Sequence, residues 1–257
     1  FVDPDDPENF RRAIDAHTRA IFIESLANPG GVVTDIAAIA AIAHEAGIPL
    51  IVDNTLATPY LCRPFEHGAD LIVHSTTKFL SGNGAALGGV VVDSGRFDWM
   101  QNDKFPSLGK PAPEYHGLVF AETFGELGYT TYGHAVGLRD LGATQSPMNA
   151  FLTLLGIETL PLRMDRHCAN ALTVAKYLLD HRAVTWISYA GLESDPYHAL
   201  AKRYLPRGAG AVLTCGLAGG YDAGVKMVEA VEMISHLANI GDTRSLIIHP
   251  ASTTHRQ

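Results

Sequence analysis

The sequence contains only three cysteines among 257 residues, Cys62, Cys168 and Cys215. They are scattered, odd in number and form no C-x-x-C pair, so neither a disulfide framework nor a cysteine-based zinc site is expected. His74, His249 and His255 also lack the spacing of a metal-binding motif, and no cysteine is near them. We therefore predict that the protein holds no metal.

Charged residues make up only 18% of the chain, and the acidic ones exceed the basic ones to give a net charge of −8. This balance argues against a surface that binds nucleic acid or another polyanion. It does not exclude an anionic cofactor, because a phosphate site needs only local donors. The sequence also lacks a signal peptide and any long apolar span, which predicts a cytoplasmic protein without a membrane partner.

The sequence does not begin with methionine. It opens within Phe1-Val2-Asp3-Pro4 and stops abruptly after Gln257. We expect the chain to be an internal portion of a longer polypeptide.

Apolar runs alternate with stretches of helical spacing in the first half of the chain. We expect strands at residues 20–24, 50–53, 71–74 and 89–92, the first three of them buried. The first two flank a helix that Thr34 or Asp35 would cap. Strand, helix and strand over so short a length form a βαβ unit, which predicts a parallel sheet in an α/β fold.

The second half changes in character. Residues 149–179 have helical spacing interrupted near Pro161, which predicts two helices that bridge to a smaller α/β unit. In that unit we expect strands at residues 184–189, 211–217 and 246–249 and helices at residues 196–204 and 223–237. We therefore divide the chain into a large domain over residues 1–155 and a second part over residues 156–257.

A long excursion separates the two halves. Residues 93–115 carry aromatic side chains and prolines without a clear period. Long ordered loops of this kind often serve as lids or subunit contacts. A packing role explains the aromatic residues equally well.

Polar residues follow the predicted strands of the first half. Asp53 closes the apolar run 48–53, and Lys78 closes the run 72–78. Asn28 follows the first strand and is held extended because Pro29 comes next. In open α/β sheets ligands bind beyond the carboxyl ends of the strands, so we expect these side chains to share one site.

A lysine and an aspartate at one sheet edge match the needs of pyridoxal 5'-phosphate (PLP). The cofactor requires a lysine amine for a Schiff base and a carboxylate that keeps its pyridine nitrogen protonated, so that the ring can accept electrons. Ser75 and Thr77 add hydroxyls of the kind that hold a phosphate, and on an extended segment both would face one way. Alone, Asp53 could be a turn residue and Lys78 a solvated surface group. The combination predicts a PLP site.

Four segments resemble the Cys/Met-metabolism family of PLP enzymes. They are ESLANP at residues 24–29, VDNTLATPY at 52–60, HSTTKF at 74–79 and SLIIHPASTTH at 245–255. Their order and spacing match over essentially the whole chain. The resemblance implies fold type I of the PLP-dependent transferases, an α/β fold with a mainly parallel sheet in its large domain and a smaller α/β C-terminal domain.

The same resemblance implies a role for individual residues. Lys78 would hold PLP and move protons, and Asp53 would pair with the pyridine nitrogen. Ser75 and Thr77 would bind the phosphate, and Thr55 would lie beside the ring. Asn28 would lie near the phenolic oxygen and the substrate carboxylate, and Asn239 would bind that carboxylate. Other parts of the family's site fall outside the sequence. A ring-stacking tyrosine and a Gly-Met phosphate segment precede Phe1 in relatives, and the arginine that holds the substrate carboxylate follows Gln257.

Within the family, four more segments resemble the sulfhydrylase branch. They are PEYHG at residues 113–117, LRDLGA at 138–143, GIETLPLRM at 156–164 and ANIGD at 238–242. This resemblance implies γ-replacement, in which O-acetylhomoserine and sulfide or a thiol give homocysteine or methionine plus acetate, in a homo-oligomer (dimer or tetramer). Two alternatives stay open: a γ-lyase or γ-synthase of methionine or cystathionine on the same scaffold, and a non-catalytic relative that serves as a binding or assembly module.

Overall fold

The structure, a computed structural model, describes residues 1–254. The helices are α1 Glu8–Ala13, α2 Ile36–Glu45, α3 Thr58–Leu61, α4 Pro106–Gly109, α5 Phe120–Phe124, α6 Gly128–Tyr132, α7 Pro147–Glu158, α8 Leu160–Leu179, α9 His198–Tyr204 and α10 Gly220–Ala230. The strands are β1 Ile21–Glu24, β2 Leu50–Asp53, β3 Leu71–Ser75, β4 Gly89–Asp93, β5 Val184–Ser188, β6 Thr214–Leu217, β7 Ser235–His236 and β8 Leu246–Ile247. Short turns of 3₁₀ or π-helix connect several of them, including the π-helical turn Thr76–Leu80.

The first four strands form one sheet in the order β1-β2-β3-β4. β1 pairs with β2 and β2 with β3 in parallel, and the register sets Glu24 beside Asp53 and Asp53 beside Val73. Helix α2 connects β1 to β2, and the Asp35 side chain caps it by accepting a hydrogen bond from the Ala38 N–H at 3.2 Å. The predicted βαβ unit and its mainly parallel sheet are confirmed.

Strand β4 departs from this parallel arrangement. It runs antiparallel to β3, with Ser75 beside Gly89 and Leu71 beside Asp93. A parallel return would need a crossover connection, usually a full helix. The chain between β3 and β4 holds only the turn Thr76–Leu80 and a glycine-rich loop, so β4 folds back beside β3.

The central strands β2 and β3 pack on both faces, whereas Phe22 in β1 and residues 90–92 in β4 are exposed. Leu50 and Val52 point into a core that contains Ile36, Ile39 and Met164. All five side chains are fully buried. The opposite face packs against a second cluster, to which the excursion contributes Phe97, Trp99, Leu108 and Ala112. Leu71 of β3 and Phe120 of α5 complete this cluster. Packing on both faces explains why the sequences of β2 and β3 are near-continuous apolar runs.

The excursion is therefore a packed layer. Trp99 is 7% exposed and stacks on Tyr129 with ring centroids 5.2 Å apart. Phe97 and Phe105 meet the Trp99 ring edge-on at 4.8 and 5.2 Å. Of the two interpretations of these aromatic residues, packing against the sheet is the one that the structure supports.

The later part of the chain follows the predicted order with one difference. Helices α7 and α8 meet at Thr159, close to the predicted break, and β5 pairs antiparallel with β6. Helix α10 ends at Ala230, whereas the spacing predicted helix up to residue 237. The predicted end is wrong because Ser235 and His236 pair as a short parallel strand with Leu246 and Ile247.

Among residues 1–254, no helix is both long enough and apolar enough to cross a membrane.

Candidate active site

The carboxyl ends of the parallel strands bring the predicted residues to one edge of the sheet. Asp53 is the last residue of β2, and Ser75 is the last residue of β3. Lys78 follows Ser75 within the turn Thr76–Leu80, and Asn28 follows β1. The parallel register places these ends side by side, so the expected juxtaposition of residue types is present.

Thr55 connects two of these strand ends. Its N–H donates to Asp53 Oδ1 at 2.9 Å, and its Oγ1 accepts from the Ser75 N–H at 2.8 Å. Thr55 is 8% exposed. Thr55 thus links the Asp53 carboxylate to the end of β3, through its backbone N–H on one side and its hydroxyl on the other. The sequence analysis placed Thr55 only beside the ring.

Lys78 lies where the chain leaves the strand and makes a single π-helical turn. Its backbone, with φ −94° and ψ −128°, departs from helical geometry inside that turn. The Nζ atom donates to Asn239 Oδ1 at 2.6 Å, across 161 residues of sequence. The structure therefore brings Asn239 to the lysine amine itself.

Thr77 lies within this turn as well. The argument that Ser75 and Thr77 share one extended segment is wrong, because the strand ends at Ser75. The Thr77 Oγ1 accepts from the Gly88 N–H at 3.1 Å and lies 3.3 Å from the Gly88 carbonyl oxygen. Its hydroxyl holds the glycine-rich loop in this structure.

Asn28 is positioned by a residue that the sequence analysis did not single out. The Glu24 carboxylate accepts a hydrogen bond from the Asn28 N–H at 3.1 Å. Burial raises the pKa of Glu24, the Asn28 N–H opposes that rise, and the negative charge of Asp53 adds to it. Glu24 closes β1 as Asp53 closes β2, and that position was the signal that could have identified it.

The segment that carries Asn239 packs directly on the lysine turn. Gly241 has φ +81°, and a Cβ at that position would lie 2.4 Å from the Phe79 nitrogen and 2.7 Å from the Lys78 carbonyl carbon. Next to it, Asp242 is 6% exposed and accepts from the Arg244 Nη2 at 2.8 Å. The Arg244 side chain lowers the pKa of Asp242. Sequence patterns gave no sign of this contact.

We expect Gly241→Ala to loosen the segment and to weaken cofactor binding by the full-length protein. The substitution combines positive φ, which costs an L-residue about 1–2 kcal/mol, with a backbone overlap. Gly117→Ala is the matched control, because Gly117 has φ +82° with nothing within 4 Å of the added Cβ. Thermal unfolding and PLP titration of both variants check this. Equal losses in the two would show that the contact with Lys78 does not matter.

The side chains at the carboxyl ends of the parallel strands are chemically suited to bind PLP. One oxygen of Asp53 accepts from Thr55, and within residues 1–254 no hydrogen bond engages its second oxygen. The ion pairs of the described chain do not include Lys78, whose amine contacts an amide oxygen. A carboxylate oxygen and an amine without a counter-ion are the two groups that PLP requires from the protein.

Two of the segments that resemble the sulfhydrylase branch contact each other. The Tyr115 hydroxyl donates to Asp140 Oδ2 at 2.5 Å, and the Arg139 Nη2 donates to the Tyr115 oxygen at 3.1 Å. The guanidinium also lies over the Tyr115 ring, 5.5 Å from its centroid. Residues 113–117 and 138–143 therefore form one structural feature.

Other candidate features lie away from this edge. A cavity of about 550 Å³ lies between α8 and α9, and none of the predicted site residues lines it. In the part of the chain that the structure describes, no cluster of three His, Cys, Asp or Glu side chains could hold a metal ion. His255, named in the histidine argument and in the last family segment, lies outside the described residues.

Comparison with known proteins places the chain among PLP-dependent enzymes over its whole length. A family profile described as "Cys/Met metabolism PLP-dependent enzyme" matches residues 1–257. The chain is 51% identical to a homocysteine synthase of Schizosaccharomyces pombe and 48% identical to an O-acetyl-L-homoserine sulfhydrylase of Leptospira meyeri. Both alignments cover 100% of this chain and 60% of the relative. The chain thus spans well under two thirds of the length of these curated relatives.

A solved structure agrees with these matches. A Campylobacter jejuni protein, assigned as an O-acetylhomoserine (thiol)-lyase, superposes with a TM-score of 0.95 at 40% identity. The match covers 100% of this chain and 61% of that protein. That structure contains N'-pyridoxyl-lysine-5'-monophosphate, a lysine joined to the cofactor.

Proposed function

Because the chain belongs to the Cys/Met-metabolism family of PLP-dependent enzymes, we propose that the full-length protein is an O-acetylhomoserine sulfhydrylase. In the reaction sulfide or a thiol displaces acetate: the Cγ–O bond of O-acetylhomoserine breaks, a Cγ–S bond forms, and homocysteine or methionine results. The observation that carries the proposal is the meeting of Asp53 and Lys78 at one sheet edge. The names of the similar proteins in S. pombe and L. meyeri support the choice of substrate.

The proposed roles follow from the contacts. When bound, PLP supplies an electron sink for negative charge that develops on the amino-acid substrate. Asp53 offers its second carboxylate oxygen to the pyridine nitrogen, and an opposite charge within about 4–6 Å favours the protonated form of such a group. Thr55 fixes that carboxylate through its N–H. Ser75 and Thr77 supply donors for the phosphate, Thr77 after exchanging its contact with Gly88.

Lys78 is the proposed anchor of the cofactor and the group that moves protons at Cα and Cβ of the substrate. In the structure, its amine lies 2.6 Å from the Asn239 amide oxygen. We propose that Asn239 turns its amide to the substrate carboxylate once the substrate enters, and that Asn28 binds nearby. Asn28 is held in place through its N–H by Glu24, which leaves its side chain to the ligand.

The substrate assignment can be tested by comparing kcat/KM values on one preparation of the full-length protein. We expect O-acetylhomoserine with sulfide to exceed O-succinylhomoserine, cystathionine formation and methionine breakdown by at least about tenfold, which is about 1.4 kcal/mol of transition-state discrimination. O-succinylhomoserine adds a carboxylate, and an unpaired charge in a closed pocket is costly. Faster cleavage of methionine or cystathionine would replace the proposal with the γ-lyase alternative. No turnover by a PLP-loaded preparation would favour the non-catalytic one.

Three broader assignments belong to the same proposal. We place the protein in the cytoplasm, divide it into the PLP-binding part over residues 1–155 and a second part over residues 156–257, and expect a homo-oligomer, either a dimer or a tetramer. The amino-acid substrate and the sulfide or thiol are its expected small-molecule partners. Light scattering of the full-length protein gives the subunit number.

A further inference from the structure

Arg163 on α8 directs its guanidinium at the turn that carries Lys78. Its Nη1 donates to the Phe79 carbonyl oxygen at 2.8 Å, and its Nη2 lies 3.5 Å from the Leu80 carbonyl oxygen. The same Nη2 donates to the Gly156 carbonyl oxygen at 2.6 Å, and Nε donates to Thr159 Oγ1 at 3.1 Å. One side chain thus joins the lysine turn to the end of α7 and the start of α8.

These carbonyl groups need an external donor. The last carbonyls of a helical segment have no intrahelical partner, and arginine side chains can supply one. The turn Thr76–Leu80 is a single turn, so most of its carbonyls are terminal. Arg163 therefore caps the carboxyl end of the lysine turn from a helix that is 84 residues away in sequence.

The charge of Arg163 is held without an ion pair. The ion pairs found within residues 1–254 do not include it. Burial lowers the pKa of Arg163, in keeping with a guanidinium that is half-buried among carbonyl groups. Burying a charge is costly unless hydrogen bonds satisfy it. Here one of the acceptors is the carbonyl oxygen of Phe79, the residue that follows Lys78.

The fit around Arg163 leaves little free space. A Cβ on Gly82, which has φ +77°, would lie 2.4 Å from the Arg163 Nη1. One turn along α8, the His167 ring meets the Phe79 ring edge-on with centroids 5.6 Å apart. Helix α8 therefore contacts Phe79, the residue after Lys78, at two points: Arg163 binds the Phe79 carbonyl oxygen, and His167 packs against the Phe79 ring.

We propose that Arg163 is a positioning residue that fixes the lysine turn, so that the Lys78 amine stays beside Asn239 and ready for the cofactor. This inference rests on the proposed role of Lys78.

The test uses the full-length holoenzyme with Arg163→Met, Arg163→Lys and, as the matched control, Arg166→Met, which removes an exposed arginine from the same helix. PLP affinity is measured by adding PLP to each apoprotein, and kcat and KM for O-acetylhomoserine are measured under saturating PLP. We expect Arg163→Met to weaken PLP binding by about tenfold or more, as the loss of charge-assisted hydrogen bonds would. It should also lower kcat with KM nearly kept, because a misplaced reacting group slows the reaction. Arg163→Lys should recover only part of the affinity and of kcat. Arg166→Met should match the parent in both.

The outcomes separate this inference from the function on which it rests. Borohydride reduction and peptide mapping of the parent enzyme locate the cofactor: a label on another lysine overturns both proposals. A label on Lys78 with unchanged affinity and kcat in Arg163→Met overturns the positioning role alone. A lower melting temperature of the apoprotein with an unchanged kcat under saturating PLP also overturns it, because that pattern reports a structural role. If Arg163→Met does not fold, normal PLP affinity in Arg163→Lys also overturns the positioning role.

Discussion

Lys78→Ala is expected to abolish γ-replacement by the full-length protein. The substitution removes the amine that would anchor PLP and move protons at Cα and Cβ. General acid–base catalysis alone contributes about 10²–10⁴-fold to a rate, so we expect kcat to fall by at least that factor. The measurement is homocysteine formation from O-acetylhomoserine and sulfide under saturating PLP.

The control for Lys78 is Lys110→Ala. Lys110 pairs with Asp103 at 3.0 Å on the surface of the excursion, and we expect this variant to retain full activity. Borohydride reduction of the parent enzyme should place the phosphopyridoxyl group on the peptide containing Lys78. An active Lys78→Ala enzyme, or a label on Lys104 or Lys110, would remove Lys78 from the site.

Asp53→Asn should also lower kcat by about 10²–10³-fold, the typical cost of losing one preorganised electrostatic group, with thermal stability nearly kept. The asparagine can still accept the hydrogen bond from the Thr55 N–H, which is 2.9 Å from Asp53 Oδ1. What it loses is the negative charge that would hold the pyridine nitrogen protonated. Asp53→Ala should be at least as severe in kcat.

Asp93→Asn is the matched control for Asp53. Asp93 also closes a strand of the same sheet and is half-buried, but β4 runs antiparallel and sets Asp93 beside Leu71, at the start of β3. It therefore lies at the opposite edge of the sheet from Lys78. Near-normal turnover in Asp53→Asn, or equal losses in the two variants, would mean that the position of the charge is irrelevant.

The sequence predicted those parts of the fold and of the site that local patterns encode. Strands β1 to β3 each appear as an apolar run that ends at a polar residue, and β2 and β3 pack on both faces. Because parallel strands share a direction, their carboxyl ends meet, and Asp53, Ser75 and Lys78 could be placed at one edge without coordinates. The helix cap at Asp35 was equally local, since it depends on the Ala38 N–H three residues away.

Patterns failed where a contact or a direction depends on distant parts of the chain. The reversal at β4 depends on the path of a glycine-rich loop, which an apolar run does not report. Thr77 was misplaced because the same run conceals the change from strand to helical turn after Ser75. Arg163 reaches Phe79 across 84 residues, and its helical position on α8 is equally compatible with a solvated face.

The contact between Lys78 and Asn239 also orders events during folding. The two residues are 161 positions apart, and closing so long a loop costs entropy before the contact can stabilise anything. The sheet edge with Asp53 and Ser75 joins segments that are much closer in sequence. Contacts between residues close in sequence favour fast folding. We therefore expect the sheet edge with Asp53 and Ser75 to form early in folding, and the lysine amine to meet Asn239 only after the segment around Gly241 has docked. On this expectation the cofactor site reaches its final geometry late in folding.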